Sequence, residues 1–179
     1  MAQYLSSSLK TNDWPEFAQR SDRFLRTLPL ASCDGCDGCG QRCGAGFRVT
    51  REEALAAFAA FASLSADEQR FVDEQPREQP WPGVDPETLT FVRCRYRDAE
   101  RGRCAIYPAR PTVCRFFGHV DWLPCPIGEV DPVSEPARSL WREYVELERR
   151  TWEEWEAEGV DPSGGTAVPS VADGQPPLA

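Results

Sequence analysis

Four of the chain's eight cysteines fall within eleven residues, Cys33-Asp34-Gly35-Cys36-Asp37-Gly38-Cys39-Gly40-Gln41-Arg42-Cys43, spaced C-x2-C-x2-C-x3-C. Thiolates packed this closely do not sort easily into independent disulfides, but they can converge on one metal, because glycine-containing turns bring successive sulfurs to ligand distance. Two Asp-Gly and two Cys-Gly steps supply the turns, since glycine takes positive φ at no steric cost. The same turns aim backbone N–H groups at sulfur, which stabilises bound thiolate. A disulfide framework is the main competing reading and needs an oxidising compartment. Buried free thiols are the other, but core cysteines follow helix or strand periodicity and these follow turn spacing. Metal binding at Cys33, Cys36, Cys39 and Cys43 is therefore the expectation.

The whole chain constrains the setting. Its 179 residues suffice for one domain with a core, and an apolar content of 41% with six Trp and nine Phe is that of a globular protein. No apolar run reaches membrane-spanning length, and Met1 to Lys10 has no apolar signal-peptide core. The expected setting is the cytoplasm, where thiols stay reduced, with no membrane partner. A formal charge of −9 argues against nucleic acid as a partner, because that recognition needs a basic surface.

Helices must position the cysteines. Residues 13–28 read as the first, with Trp14, Phe17, Phe24, Leu25 and Leu28 on one face and Pro29 ending it. Thr50-Arg51-Glu52-Glu53 is a capping box opening a helix to about Ser63, with Leu55, Phe58, Phe61 and Ala62 as its apolar stripe. Ser65 to Glu68 is a second box, opening a short helix that ends near Gln75. Residues 76–86 carry four prolines and read as loop. Thr90 to Tyr96 alternates as a strand, with Cys94 on the apolar face and Arg93, Arg95 and Arg97 on the other. After a turn at 98–102, Cys104 to Tyr107 is a second extended piece, and Pro111 starts a helical turn carrying Cys114. Residues 119–133 read as proline-rich loop. Residues 134–158 read as one long helix, rich in Trp, and 159–179 as a disordered tail. The expected fold is mainly α with a small β element, one metal-organised domain over 1–158.

The remaining cysteines are Cys94, Cys104, Cys114 and Cys125, a spacing with no motif meaning by itself. The run from Gly102 to Arg115, GRCAIYPARPTVCR, makes the pattern specific. With the first run it resembles the YkgJ-like cysteine-cluster family, zinc- or iron-chelating domains in which a C-x-x-C-G-x-C-C run precedes C…C-x-I-Y-x-x-R-P-x-x-C-R. The resemblance covers roughly 33–128. Cys36, Cys39, Gly40 and Cys43 match the first run, and Cys94, Cys104, Ile106, Tyr107, Arg110, Pro111, Cys114 and Arg115 the second. Cys125, before Pro126, matches a late cysteine of that family. Arg42 stands where the family has the first cysteine of its pair, and Cys33 is the candidate replacement. A distant branch is similar to flagellin lysine N-methylases, longer iron–sulfur proteins; only the cysteine domain matches here.

Soft sulfur ligands select zinc, Cu(I) or iron–sulfur clusters. The first run has the spacing of a bacterial ferredoxin, but Gly44 replaces the following Pro and there is no second run, nor the second C-x-x-C of a zinc ribbon. A composite site is the expectation: the first loop closed by sulfurs from the second half, all eight cysteines being candidate ligands of zinc or iron, an iron–sulfur cluster included. Seven arginines between 93 and 115 would offset thiolate charge; the resemblance singles out Arg110 and Arg115 as donors supporting the bound sulfurs. His119 is a further candidate ligand, although a histidine in such a loop is more often structural. Two readings of other classes stay open: an iron–sulfur enzyme with a methyl-transfer or redox role, and a structural zinc module docking a protein partner through its Trp-rich helix. No hydrolase triad, phosphate loop or dinucleotide motif is present.

Overall fold

Helix α1 (Trp14–Leu25) starts at the Trp14-Pro15 step and buries Phe17, Ser21, Phe24 and Leu25, the one-face spacing of a 3.6-residue repeat. A computed structural model describes residues 14–28, 38–80, 85, 87, 89–133 and 135–160. Cys33, Cys36 and the chain from 161 onward lie outside the described residues. After α1 come α2 (Arg51–Ala62), α3 (Ala66–Asp73), β1 (Glu78–Pro80), β2 (Thr90–Val92), β3 (Arg97–Asp98), β4 (Arg103–Cys104), α4 (Thr112–Arg115), β5 (His119–Val120), β6 (Leu123–Pro124), α5 (Ala137–Glu146) and α6 (Trp152–Ala157), with 3-10 turns at Gly38–Arg42 and Tyr107–Ala109. The fold is mainly helical, one domain, with three small antiparallel strand pairs: β1 with β2, β3 with β4, β5 with β6.

Both capping boxes form as the sequence predicts. Thr50 and Ser65 each accept the backbone N–H three residues on, and Glu53 and Glu68 reach back. The α2 stripe is rotated from the expected one: Glu53, Ala54, Ala57 and Phe58 are buried, whereas Ala62 is exposed. The reason is that α2 packs against α6 and against the turn at 107–109, and small alanines allow that close approach while larger side chains fill the margins.

Two buried clusters make the core. Phe17, Phe24, Leu25 and Leu28 of the first helical segment pack with Val113, Phe116, Val120, Leu140 and Tyr144. Val49, Ala54, Ala57, Phe58, Tyr96, Ile106, Trp152 and Trp155 form the other. Each large side chain so buried contributes roughly 1.5–3 kcal/mol.

Three expected elements differ. The loop expected at 76–86 contains β1, an edge strand that tolerates Pro80 because the missing N–H is not needed on its outer side. The loop expected at 119–133 contains the β5–β6 hairpin, with His119 opposite Pro124. The single helix expected over 134–158 is two. Arg150 leaves the helix to exchange backbone hydrogen bonds with Val49, at 2.8 and 3.0 Å, and Thr151 then caps α6 in a third capping box with Glu154. Gly159 takes φ of +75° after α6, and Val160 folds back into the second cluster; these two residues belong to the packed domain rather than to the expected tail.

Because Thr151 starts α6 independently, Thr151→Ala should lower stability by about 1 kcal/mol, the cost of a lost N-cap. A urea denaturation midpoint checks this; an unchanged midpoint would mean that α6 is held by Trp152 and Trp155 alone.

Candidate metal centre

A short antiparallel contact joins the two cysteine sets. The 3-10 turn at Gly38–Arg42 ends in Cys43, whose N–H donates to Gly40 O at 3.1 Å. The chain then runs beside the end of β2: Gly44 pairs with Arg93, Cys94 N–H donates to Cys43 O at 2.8 Å, and Ala45 N–H to Val92 O at 2.7 Å. Cys94 thus stands beside Cys43. The β3–β4 hairpin brings Cys104 opposite Arg97, and Gly102 takes φ of +64° in its turn. Arg110 is extended, as a residue before proline should be, and Pro111 serves as the N-cap of α4, one position earlier than expected. Cys114 then sits in the single turn of α4.

Cys43, Cys94 and Cys104 pack on the second hydrophobic cluster and Cys114 on the first. At the seam between them Cys43 and Cys94 are in contact, and Cys104 and Cys114 lie near enough to act on them electrostatically. The Cys43 thiol donates to the Cys94 sulfur, which holds Cys43 protonated, with burial and the nearby Cys114 and Cys104 adding to the effect. Cys94 is lowered to about 7 by the same hydrogen bond, against burial, with help from the Tyr96 N–H, Arg77 and Arg93. Burial pushes Cys104 up to about 11, against the Ile106 N–H, Arg110 and Arg97, with Cys94 adding to the rise. Burial, then Cys94 and Cys104, raise Cys114 well above the usual thiol range. Among the described residues Cys43, Cys94, Cys104, Cys114 and Cys125 are free thiols. Their approach stops short of a closed cage: among the described residues no three His, Cys, Asp or Glu side chains are arranged to hold a metal ion.

Arginines surround this seam. Arg93 is buried at 2% exposure, its Nε on Pro76 O and its Nη2 on Gln75 O, both at 3.1 Å. Arg77 Nε donates to Arg93 O at 3.2 Å. Arg97 is also buried, and a Cβ on Gly40 would stand 2.3–2.6 Å from its guanidinium, so glycine at 40 is what lets Arg97 lie on the cysteine loop. The expected basic outer face of a 90–96 strand is therefore corrected. The strand ends at Val92, which is exposed, and the turn closed by Arg97 N–H to Cys94 O folds Arg93 and Arg97 inward. Arg110 lies over the Tyr107 ring at 3.5 Å and acts on Cys104 and Cys114. Arg115, expected beside it, turns instead to α1 and pairs with Asp22 at 2.8 Å.

Glu53 was legible only as a helix cap. Its carboxylate also accepts Thr112 N–H at 2.7 Å and Tyr144 O–H at 2.7 Å, besides Thr50 N–H at 3.0 Å. It holds the start of α4, and thereby Cys114, against α2 and α5. No sequence signal marks that second role. Arg77, in the proline-rich stretch, was missed for the same reason: its partners are distant in the chain.

The remaining candidates lie around the seam. Burial, then Arg110, keep His119 neutral at 2% exposure. Cys125 follows β6; burial opposes its ionisation, but the N–H groups of Ile127, Glu129, Val130 and Gly128 outweigh it and lower the thiol. Gly38 packs on Ile127, where a Cβ would meet that side chain at 3.2 Å, so the loop carrying Cys39 lies against the loop that follows Cys125.

The chemistry of the donors, though not their spacing here, suits a soft metal: sulfurs from both halves, backbone N–H groups on Cys94 and Cys104, and guanidinium groups to offset thiolate charge.

Two outcomes follow. Glu53→Gln places an amide N–H against one of three donors, and should cost about 2–4 kcal/mol in a urea titration, with Tyr144→Phe costing about 1–2 kcal/mol. Equal midpoints for wild type and Glu53→Gln would refute the bracing role. For His119 the folded pKa lies below the usual 6.5, so the unfolded chain binds the proton first. Its contribution is present above about pH 6.5 and is lost as pH falls below that. Wild-type stability should fall more steeply with acid than that of His119→Gln, and parallel slopes would contradict this.

Residues 33–145 match the sequence profile of the CxxCxxCC family, described as "Putative zinc- or iron-chelating domain". The match runs past the expected limit of 128 and takes in most of α5, including Tyr144. No curated protein and no solved structure matches the chain. With the profile covering more than half of its length, and with cysteines from both motif runs brought to one seam, the chain belongs to the CxxCxxCC family.

Proposed function

We propose that the protein chelates zinc or iron through a composite site in which Cys43, Cys94, Cys104 and Cys114 are the inner ligands. The observation that supports this reading is the contact of Cys43 with Cys94 of the second run, with Cys114 and Cys104 near enough to act on Cys43 electrostatically. Four sulfurs satisfy the coordination of a tetrahedral soft-metal site. Cys33, Cys36, Cys39 and Cys125 are the further ligands that a larger, multinuclear site would use, and the contact between Gly38 and Ile127 supports the loops of Cys39 and Cys125 joining one region. Arg93, Arg97 and Arg110 would reduce the charge of the bound thiolates, and the Tyr96 and Ile106 N–H groups would orient two of the sulfurs. Thiolate ligation suits a reducing compartment, and the cytoplasm is the setting proposed.

The metal's own contribution when bound would be a cross-link between the two halves, or, as an iron–sulfur cluster, an electron store. The N–H donors to sulfur are compatible with either.

Elemental analysis of anaerobically purified protein should find zinc or iron in at least one equivalent per chain. Cys94→Ser and Cys114→Ser should each weaken binding by more than the roughly 10–100-fold that loss of a supporting contact costs. Brown colour with acid-labile sulfide would assign a cluster, and colourless protein with zinc a mononuclear or structural site. A folded wild-type protein that retains neither metal after anaerobic reconstitution would overturn the proposal.

A further inference from the structure

We infer that Cys43 and Cys94 form a peroxide-sensitive modification site, the pair of thiols that oxidation joins into a disulfide. The inference builds on the chelating reading, but its readout is which sulfurs become linked. Cys43 and Cys94 face each other across the short antiparallel contact set by the Gly44–Arg93 pair. The Cys94 N–H to Cys43 O bond, 2.8 Å, marks this as the hydrogen-bonded type of pair, in which Cα atoms stand about 5.5 Å apart, inside the range that a disulfide spans. The reciprocal bond is absent, because Cys43 N–H goes to Gly40 O instead. The backbone can therefore adjust at Cys43 without breaking a second cross-strand bond. The side chains already touch, thiol to sulfur. Cys104 and Cys114, by contrast, are separated by a 3-10 turn and the start of α4.

Cys94 is buried, while Cys43 is partly exposed and is the sulfur a small hydroperoxide reaches. As the Cys43 proton passes along its hydrogen bond to the Cys94 sulfur, the Cys43 sulfur takes one peroxide oxygen and the O–O bond breaks, giving a sulfenic acid and a hydroxide that takes a solvent proton to become water. The Cys94 sulfur then attacks that sulfur; the S–S bond forms, the S–O bond breaks, and the hydroxyl leaves as water with the Cys94 proton. Two thiols and one peroxide give one disulfide and two waters. A dithiol reductant reverses the reaction. Because both sulfurs belong to the proposed inner ligand set, oxidation and chelation compete for the same atoms.

The test uses the full-length protein, as purified with its metal content measured and after metal removal, treated with hydrogen peroxide, alkylated and digested with trypsin. Cleavage at arginine leaves Cys43 in peptide 43–48 and Cys94 in peptide 94–95, whereas Cys104 and Cys114 share 104–115 because Pro111 protects the Arg110 bond. The expected result is a 43–48 to 94–95 cross-link roughly tenfold more abundant than any other pairing, as expected for groups already held in contact. It should disappear on reduction and be absent from Cys43→Ser. Metal-loaded protein should form it more slowly and lose metal as it forms. A dominant link within 104–115, scattered pairings, or sulfinic acid at Cys43 with Cys94 still alkylated would overturn the inference. If the protein binds no metal, the chelating reading fails while the linkage map still decides this one. If the link forms with metal retained, the pair stands and the inner-ligand assignment falls.

Discussion

The rest of the structure depends on one buried carboxylate. Glu53 is 6% exposed, and a carboxylate so placed is tolerated only when donors surround it. It accepts the N–H of Thr50, the N–H of Thr112 and the hydroxyl of Tyr144, and these belong to three segments remote in sequence. One cap residue thus ties the start of α2 to the start of α4 and to α5. It also bridges the two hydrophobic clusters, since Ala54 and Phe58 beside it belong to one, and Tyr144 and Val113 to the other. Charge-assisted hydrogen bonds are stronger than neutral ones, and three of them in a dry setting fix the seam along which the thiols lie.

The seam solves a charge problem. Burial, and then the neighbouring thiols, oppose the ionisation of Cys114, and Cys43 is held protonated first by its hydrogen bond to Cys94 and then by burial. Of Cys43, Cys94, Cys104 and Cys114 only Cys94 is lowered, because it accepts from Cys43 and, against burial, from Tyr96 N–H and feels Arg77 and Arg93. Arg77 and Arg93 flank the β1–β2 pair. Burying Arg93 is possible only because the Gln75 and Pro76 carbonyls receive it, and Gln75 is itself fixed by Asp98 and by Ala99 N–H. A chain of contacts from the end of α3 to the β3–β4 hairpin therefore sets the electrostatics of the thiols.

What the sequence made legible was local or carried by motif. Thr50–Glu53 and Ser65–Glu68 announce their helices because a capping box needs only four residues. A composite site was expected because neither cysteine run alone completes a ferredoxin or zinc-ribbon pattern. The features that were not legible depend on distant partners. Thr151 to Glu154 has the same capping signature, yet it lies inside an apolar stripe that continues through it, and only the pairing of Arg150 with Val49 breaks the helix there. Alternation from Thr90 to Tyr96 suggested a strand, but alternation holds only while the chain stays extended, and this chain turns after Cys94. Arg115 matched the motif as well as Arg110 did; Asp22 on α1, 93 residues away, decided its direction.

The division of ligands between clusters connects the site to folding. Cys43, Cys94 and Cys104 pack with the elements around Trp152, and Cys114 with those around Phe116. Each cluster is held mainly by its own apolar contacts, and between them the seam offers Glu53 and the thiols. A ligand held by all four sulfurs would lock the two clusters together and stabilise the native state in proportion to its affinity for that state. It could do so only with the β3–β4 hairpin and α4 already in place, because those elements present Cys104 and Cys114. Glu53 supplies that order before any ligand arrives, holding Thr112 and hence the single turn of α4 through a bond that needs no sulfur. On the proposed reading the carboxylate and the metal-bound thiols would be successive fastenings of one joint: the first defines where Cys114 stands, and the second would gain strength from that placement.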